Sequence, residues 1–226
     1  MLNLLFVEAS LELVPRKISR HPSVTRNAKR EGKSPEEVLL DRSLHHHAML
    51  SLPEAEKRGR PDIIHFCLLE ALGSPLNRMG GLTVWAHTQA GVAIEVARDV
   101  RVPRDCLRFN SLMERLLVDG KVPPATEKPL MRVHAVSLGE IKARIKPSRT
   151  VALTSHGAQA RLDDLCVRLA AEESPLVFIG AYPHGPMQPE TLSQADEAVS
   201  IYSEPLEAWT VTSRLVYEYE KASGVT

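Results

Sequence analysis

The chain has 226 residues, 43% hydrophobic and 25% charged, with 28 basic and 28 acidic side chains. A chain of this size can bury a core without disulfides or metal, and it has no run of about 18 apolar residues to cross a membrane. Cys67, Cys106 and Cys166 lie far apart with no CxxC, which argues against a zinc site or disulfide framework and for a reducing, cytoplasmic compartment.

The N-terminus, MLNLLFVEASLEL, carries Glu8 and Glu12 and no early positive charge, so residues 2–14 read as a buried strand rather than a signal peptide. Pro15 to Lys33 is densely basic, with Glu31 its only acid, and reads as a solvated arm or a phosphate-contacting one. Ser34-Pro35-Glu36-Glu37 has the form of a strong helix start: a capping Ser, Pro at the first position, acids in the first turn. His45, His46 and His47 follow one another, so on a helix they point about 100° apart and do not converge on a metal. No metal is expected.

Arg60-Pro61-Asp62 opens an apolar helix that Gly73 closes. Leu82 to Thr88 and Val92 to Val96 flank Ala90-Gly91 as a hairpin. Arg101, Arg104 and Arg108 are spaced by three and four, which on a helix places them on one face, although Pro103 makes the first part extended or a helix entry. Residues 110–120 suit a helix ending at Gly120, 121–129 a loop, and 136–146 a further helix stopped by Pro147.

Three short apolar strands then each run into a loop of Gly, Pro and small residues. Val151 to Leu153 leads into Thr154-Ser155-His156-Gly157, Leu176 to Ile179 into Gly180 to Pro186, and Ala198 to Tyr202 into Ser203-Glu204-Pro205-Leu206. In open parallel α/β sheets, ligands sit outside the carboxyl ends of such strands. Residues 208–222 read as an amphipathic helix, whose Trp209, Leu215 and Tyr217 suggest a two-fold interface. Charge divides along the chain: residues 1–150 hold 24 Lys and Arg against 17 acids, residues 151–226 hold 4 against 11. A basic front half suits a polyanion.

Several of these stretches, in this order, resemble one family. They are Glu8-Ala9-Ser10-Leu11-Glu12-Leu13-Val14-Pro15, Leu40-Asp41-Arg42-Ser43, Arg58-Gly59-Arg60-Pro61-Asp62, Ser74-Pro75-Leu76-Asn77, Arg101-Val102-Pro103-Arg104, Leu153 to Gly157, Ile179 to Gly185 and Val199 to Leu206. Together they resemble the ribosome-biogenesis small-subunit rRNA pseudouridine N1-methyltransferases of the knotted SPOUT class. One departure stands out: Pro186-Met187 replaces the acidic residue and aromatic expected in that loop.

The resemblance implies an α/β fold with a deep C-terminal trefoil knot and an inserted basic extension, forming one domain over residues 1–226. Basic RNA-binding elements are expected within 15–110 and cofactor-binding knot loops within 150–212. It implies S-adenosyl-L-methionine held by Thr154, Gly157, Gly180, Gly185, Ile201, Tyr202, Ser203, Glu204, Pro205 and Leu206. Arg60, Arg101, Arg104 and Arg108 are expected to contact RNA, with Arg60 and Asp62 at the reacting nucleotide. A homodimer is implied, with small-subunit rRNA as the partner and ribosomal proteins or assembly factors as further candidates. Asp62 as a helix cap, Arg108 as a support for Phe109, a non-catalytic assembly factor, and a methyltransferase for another nucleotide stand as alternatives.

Overall fold

Leu2–Ala9 forms the first strand, β1, and every side chain along it is buried. Its neighbours are strands on both sides and helices on both faces, which is why it shows no apolar–polar alternation. In the computed structural model, which describes residues 1–225, the other strands are β2 (Leu82–Thr88), β3 (Ala93–Val96), β4 (Lys121–Val122), β5 (Met131–His134), β6 (Arg149–Gln159), β7 (Pro175–Gly180) and β8 (Glu197–Ser200). They form one sheet in the order β4-β5-β3-β2-β1-β7-β6-β8. Strands β2, β1, β7, β6 and β8 run parallel, and β3, β5 and β4 extend the sheet antiparallel. The carboxyl ends of β1, β7, β6 and β8 therefore lie side by side.

The helices are α1 (Pro22–Glu31), α2 (Arg42–Met49), α3 (Pro61–Gly73), α4 (Pro75–Arg78), α5 (Cys106–Asp119), α6 (Leu138–Ile145), α7 (Leu162–Ala170), α8 (Pro189–Leu192) and α9 (Ala208–Ala222). Alternate side chains of β1 serve the two faces of the sheet. Leu4 and Phe6 pack with α3, α5, α7 and α9, and Leu5 and Val7 pack with α6 and Met187. A third cluster, including Val14, Ile18, Val24, Val38, Leu40 and Met49, gives the basic extension a small core of its own.

Four expectations are corrected here. β1 stops at Ala9 rather than running to residue 14, because Glu8 takes a left-handed φ of 52° and breaks the strand path. The stretch from Pro15 is not a solvated arm: it folds into a 3-10 turn and α1, which bury Ile18, Val24 and Ala28. Ser34 does form its capping box with Glu37, yet the helix it announces ends after one 3-10 turn. Buried Val38 and Leu40 win that competition by running extended, with Val14 N donating to Val38 O and Leu40 N to Glu12 O, both at 2.9 Å. Finally, Leu215 faces the core with no exposure, so it lies inside the protomer rather than at an interface, whereas Tyr217 is exposed.

The segment at 154–157 is also more regular than the loop expected. β6 continues to Gln159, but Leu153 and Ala158 both pair with Val199, so the four residues between them bulge out of register. No helix is long and apolar enough to cross a membrane among the described residues.

Candidate active site and RNA-facing surface

A cavity of about 660 Å³ opens at the carboxyl ends of β6, β7 and β8 and extends along the start of α9. The bulge in β6 brings Thr154, Ser155 and His156 to its wall. The turn after β7 brings Gly180, Tyr182, Pro183, His184, Gly185 and Pro186, and the segment after β8 brings Ile201, Tyr202, Glu204, Pro205 and Leu206. Ile63 of α3 and Glu207, Thr210 and Val211 at the start of α9 complete it.

Thr154, Gly180, Gly185, Ile201, Tyr202, Glu204, Pro205 and Leu206 thus meet around one space. Gly157 and Ser203 are not part of that wall. Gly157 answers to packing instead, because a Cβ on it would lie 2.5 Å from Val199 N in the neighbouring strand. Gly185 adopts a φ of 88°, which a side chain rarely tolerates.

The charge of the lining limits what it can hold. Glu204 and Glu207 face the cavity, and no Lys or Arg does. A phosphate-bearing ligand lacks the cationic partners it needs. Ile63, Leu153, Ile179, Leu206 and Val211 offer apolar surface, and Thr154, Ser200 and Thr210 offer hydroxyls. That donor set fits a nucleoside-sized ligand of neutral or positive charge.

The Pro186-Met187 departure leaves the loop anchored. Met187 is buried beside Leu5, Val7 and Phe178, and the Pro186 carbonyl accepts a hydrogen bond from Lys57 Nζ at 2.6 Å.

A second cavity of about 460 Å³ is lined by Asp41, Arg42, Ser43, Arg60, Pro61, Asp62, His65, Cys106 and Asn110. Pro61 and Asp62 face it, while Ile63, in the same turn of α3, faces the first cavity. Arg60 donates from Nε and a terminal nitrogen to the two Asp62 oxygens at 2.8 and 2.7 Å. The hydrogen-bonded Asp62 carboxylate holds the Arg60 guanidinium above its ordinary pKa, against the opposing effect of burial. Asp62 makes no capping bond to α3.

Arg101 and Arg104 precede α5 outside any helix, Arg104 in a bend, and Arg108 lies in its first turn, so the three do not share a helix face. All three are exposed. None joins an ion pair among the described residues. Their loop is tied to α3, because buried His65 bonds the Pro103 carbonyl through Nε2 at 2.6 Å and its ring stacks on Phe109 at 4.2 Å. Sequence reading gave no functional role to His65, Lys57 or Glu8. Only the apolar neighbours of His65 in α3 and the isolated charge of Glu8 in a strand marked them.

A mixed α/β sheet whose parallel strands end at a ligand cavity without Lys or Arg, joined by one turn of α3 to a cavity that holds the Arg60–Asp62 pair, defines the protein as a small-ligand-binding α/β protein. The chain belongs to the EMG1/NEP1 methyltransferase family, whose model matches residues 4–220. It is 42% identical to the ribosomal RNA small subunit methyltransferase Nep1 of Staphylothermus marinus over 95% of this chain and 93% of that one. It is 40% identical to Nep1 of Thermococcus kodakarensis over the full length of both. The crystal structure of Archaeoglobus fulgidus Nep1 bound to S-adenosylhomocysteine superposes with a TM-score of 0.87 at 40% identity, covering 98% of each chain. The mixed α/β architecture accords with the knotted class that the sequence resembles.

Proposed function

We propose that the protein is an S-adenosyl-L-methionine-dependent methyltransferase acting on N1 of a pseudouridine in small-subunit rRNA. One observation carries this reading: a single turn of α3 presents Ile63 to the cavity that suits an adenosyl ligand and Asp62 to the cavity that holds Arg60. That turn holds the residues assigned to the methyl acceptor in fixed register with the cofactor cavity. The similarity to an S-adenosylhomocysteine-bound Nep1 supports the same assignment.

The residues present fit the cofactor. Its adenosine has the apolar walls and hydroxyls described above, and its cationic centre faces a lining with two carboxylates and no basic side chain except the histidines. When bound, S-adenosyl-L-methionine supplies an electrophilic methyl on a sulfonium. The chain must then fix the acceptor nitrogen about 3–3.5 Å from it and ease loss of its proton.

Arg60 suits the second task, because a guanidinium beside the ring stabilises the charge that develops as the N1 proton leaves to solvent water. Both oxygens of Asp62 accept from Arg60, so Asp62 serves to aim the arginine rather than to take the proton. Arg101, Arg104 and Arg108 contribute phosphate and base contacts. Phe66 and Trp209, an edge-to-face pair at 5.3 Å with Phe66 39% exposed, form an aromatic surface suited to the homodimer. In that dimer, one protomer's arginines can serve RNA held at its partner's cavity.

The test is incubation with S-adenosyl-L-methionine and a small-subunit rRNA stem-loop carrying one pseudouridine. Base-resolved detection of an N1-methyl group supports the proposal. Cofactor binding with methylation elsewhere would reassign the nucleotide, and RNA binding without cofactor binding would favour an assembly factor.

A further inference from the structure

We infer that Lys57, paired with Glu8, is a positioning residue that holds the 182–188 loop over the cofactor cavity and couples it to Arg60. This rests on the reading of that cavity as the S-adenosyl-L-methionine site. Lys57 belongs to a single 3-10 turn, Ala55–Lys57, in the basic extension, yet its side chain is 5% exposed and reaches the far half of the chain. Nζ donates to Glu8 Oε2 at 2.8 Å and to the Pro186 carbonyl at 2.6 Å. It also sits 4.5 Å from the centre of the Tyr182 ring. Its stem fills the space beside Gly185, where a Cβ would lie 3.4 Å from Cε. One lysine side chain thus meets the loop at Tyr182, Gly185 and Pro186.

Glu8 closes the loop from the other end. Its second oxygen accepts from Gln188 N at 2.8 Å. Ala181, just before the loop, is bonded to Val7 and Ser10 on either side of Glu8, at 3.0 and 2.9 Å. The left-handed φ of 52° at Glu8 is the backbone cost of aiming this carboxylate, and a strained non-glycine residue beside a ligand cavity marks a functional constraint.

Lys57 is equally fixed to the RNA-facing side. Ser10 Oγ donates to the Lys57 carbonyl. Arg58 binds Glu12 through Nε at 2.7 Å, and Gly59 O accepts from Arg42 N at 2.8 Å. Residues 57–60 therefore form one clip, with Lys57 on the cofactor loop and Arg60 on the second cavity. Whatever displaces one end loads the other, so cofactor and RNA strengthen each other's binding reciprocally.

The experiment measures S-adenosylhomocysteine binding by calorimetry, with and without an rRNA stem-loop, in wild type, Lys57→Met and the double variant Glu8→Gly/Lys57→Met. The double variant leaves no unpaired buried charge and gives the φ of 52° to glycine, so it keeps the fold. Both variants should bind S-adenosylhomocysteine about 10-fold more weakly or worse, lose the strengthening by RNA, and keep the RNA affinity of the cofactor-free protein. Amide exchange at His184, Gly185, Met187 and Gln188 should accelerate. A double variant that binds S-adenosylhomocysteine like wild type overturns the clamp, and a wild type without mutual strengthening overturns the coupling. A wild type that binds no S-adenosylhomocysteine brings down the cavity reading and this inference with it.

Discussion

The Tyr182 ring occupies the space that a side chain on Gly180 would need: a Cβ there would lie 2.7 Å from Cε1 and 3.1 Å from the hydroxyl oxygen. Gly180→Val therefore acts first on Tyr182 and through it on the cavity, rather than by filling open ligand space. Overpacking of this kind costs about 1–3 kcal/mol. The variant should fold with a lowered Tm and lose most S-adenosylhomocysteine affinity by calorimetry. Wild-type affinity in the folded variant would remove this residue from the ligand wall.

Arg60→Ala should depress methyl transfer much more than RNA binding, because a residue at the reacting nucleotide acts on the transition state. A misplacement of about 1 Å at a reacting centre can cost about 100-fold in rate. Since Asp62 has both oxygens on Arg60, Asp62→Asn should lower kcat in the same way. The double variant should be little worse than either single one. Fully additive losses in single-turnover assays would show that the two act independently.

Arg101 and Arg104 answer to a different measurement. Each is exposed outside any helix or strand and free to neutralise a phosphate. Replacing either with Ala should weaken RNA binding and flatten its dependence on salt by a slope of roughly 0.7–0.9 per lost contact. S-adenosylhomocysteine affinity should not change. A salt slope identical to wild type in both variants would place the RNA elsewhere.

Acid should loosen the basic extension through His45. Its ring is fully buried, and Nδ1 accepts from Asp41 N at 3.1 Å. Burial pushes its pKa down, with the Asp41 carboxylate opposing. The unfolded chain takes up the proton near pH 6.5 while the folded one does not. Stability contributed by neutral His45 is therefore present above about pH 6.5 and lost as pH falls towards the folded value, at no more than about 1.4 kcal/mol per pH unit. Urea unfolding at two pH values should show a smaller loss for His45→Gln than for wild type. His87, also lowered by burial, acts in the same direction and remains in both.

Where local chemistry and tertiary packing agree, the sequence was a good guide. Pro61 and Gly73 bound α3 as their residue types require, and Gly120 caps α5 with a φ of 75°. The three strand-to-loop transitions at 154, 180 and 201 do converge on one cavity. Legibility failed where a distant partner decided. Ser34 carries a complete helix start, but Val38 and Leu40 are worth more against residues 12–14. Gly157 looks like a ligand glycine because the strand that forbids its side chain lies 42 residues later. Lys57 and Glu8 are 49 residues apart, and no local pattern announces a buried pair at that separation. Leu215 has the spacing of an amphipathic face, but periodicity does not say whether that face meets a core or a partner.

The turn at residues 61–63 ties the two cavities together. Because consecutive residues of one rigid turn serve two cavities, a substitution that shifts the turn alters both recognitions together. A substitution that moves this turn should therefore change the shapes of both cavities at once. The same constraint bears on engineering. Transplanting the segments after β6, β7 and β8 into another scaffold would carry over most of a binding pocket and leave behind the substrate it is meant to modify.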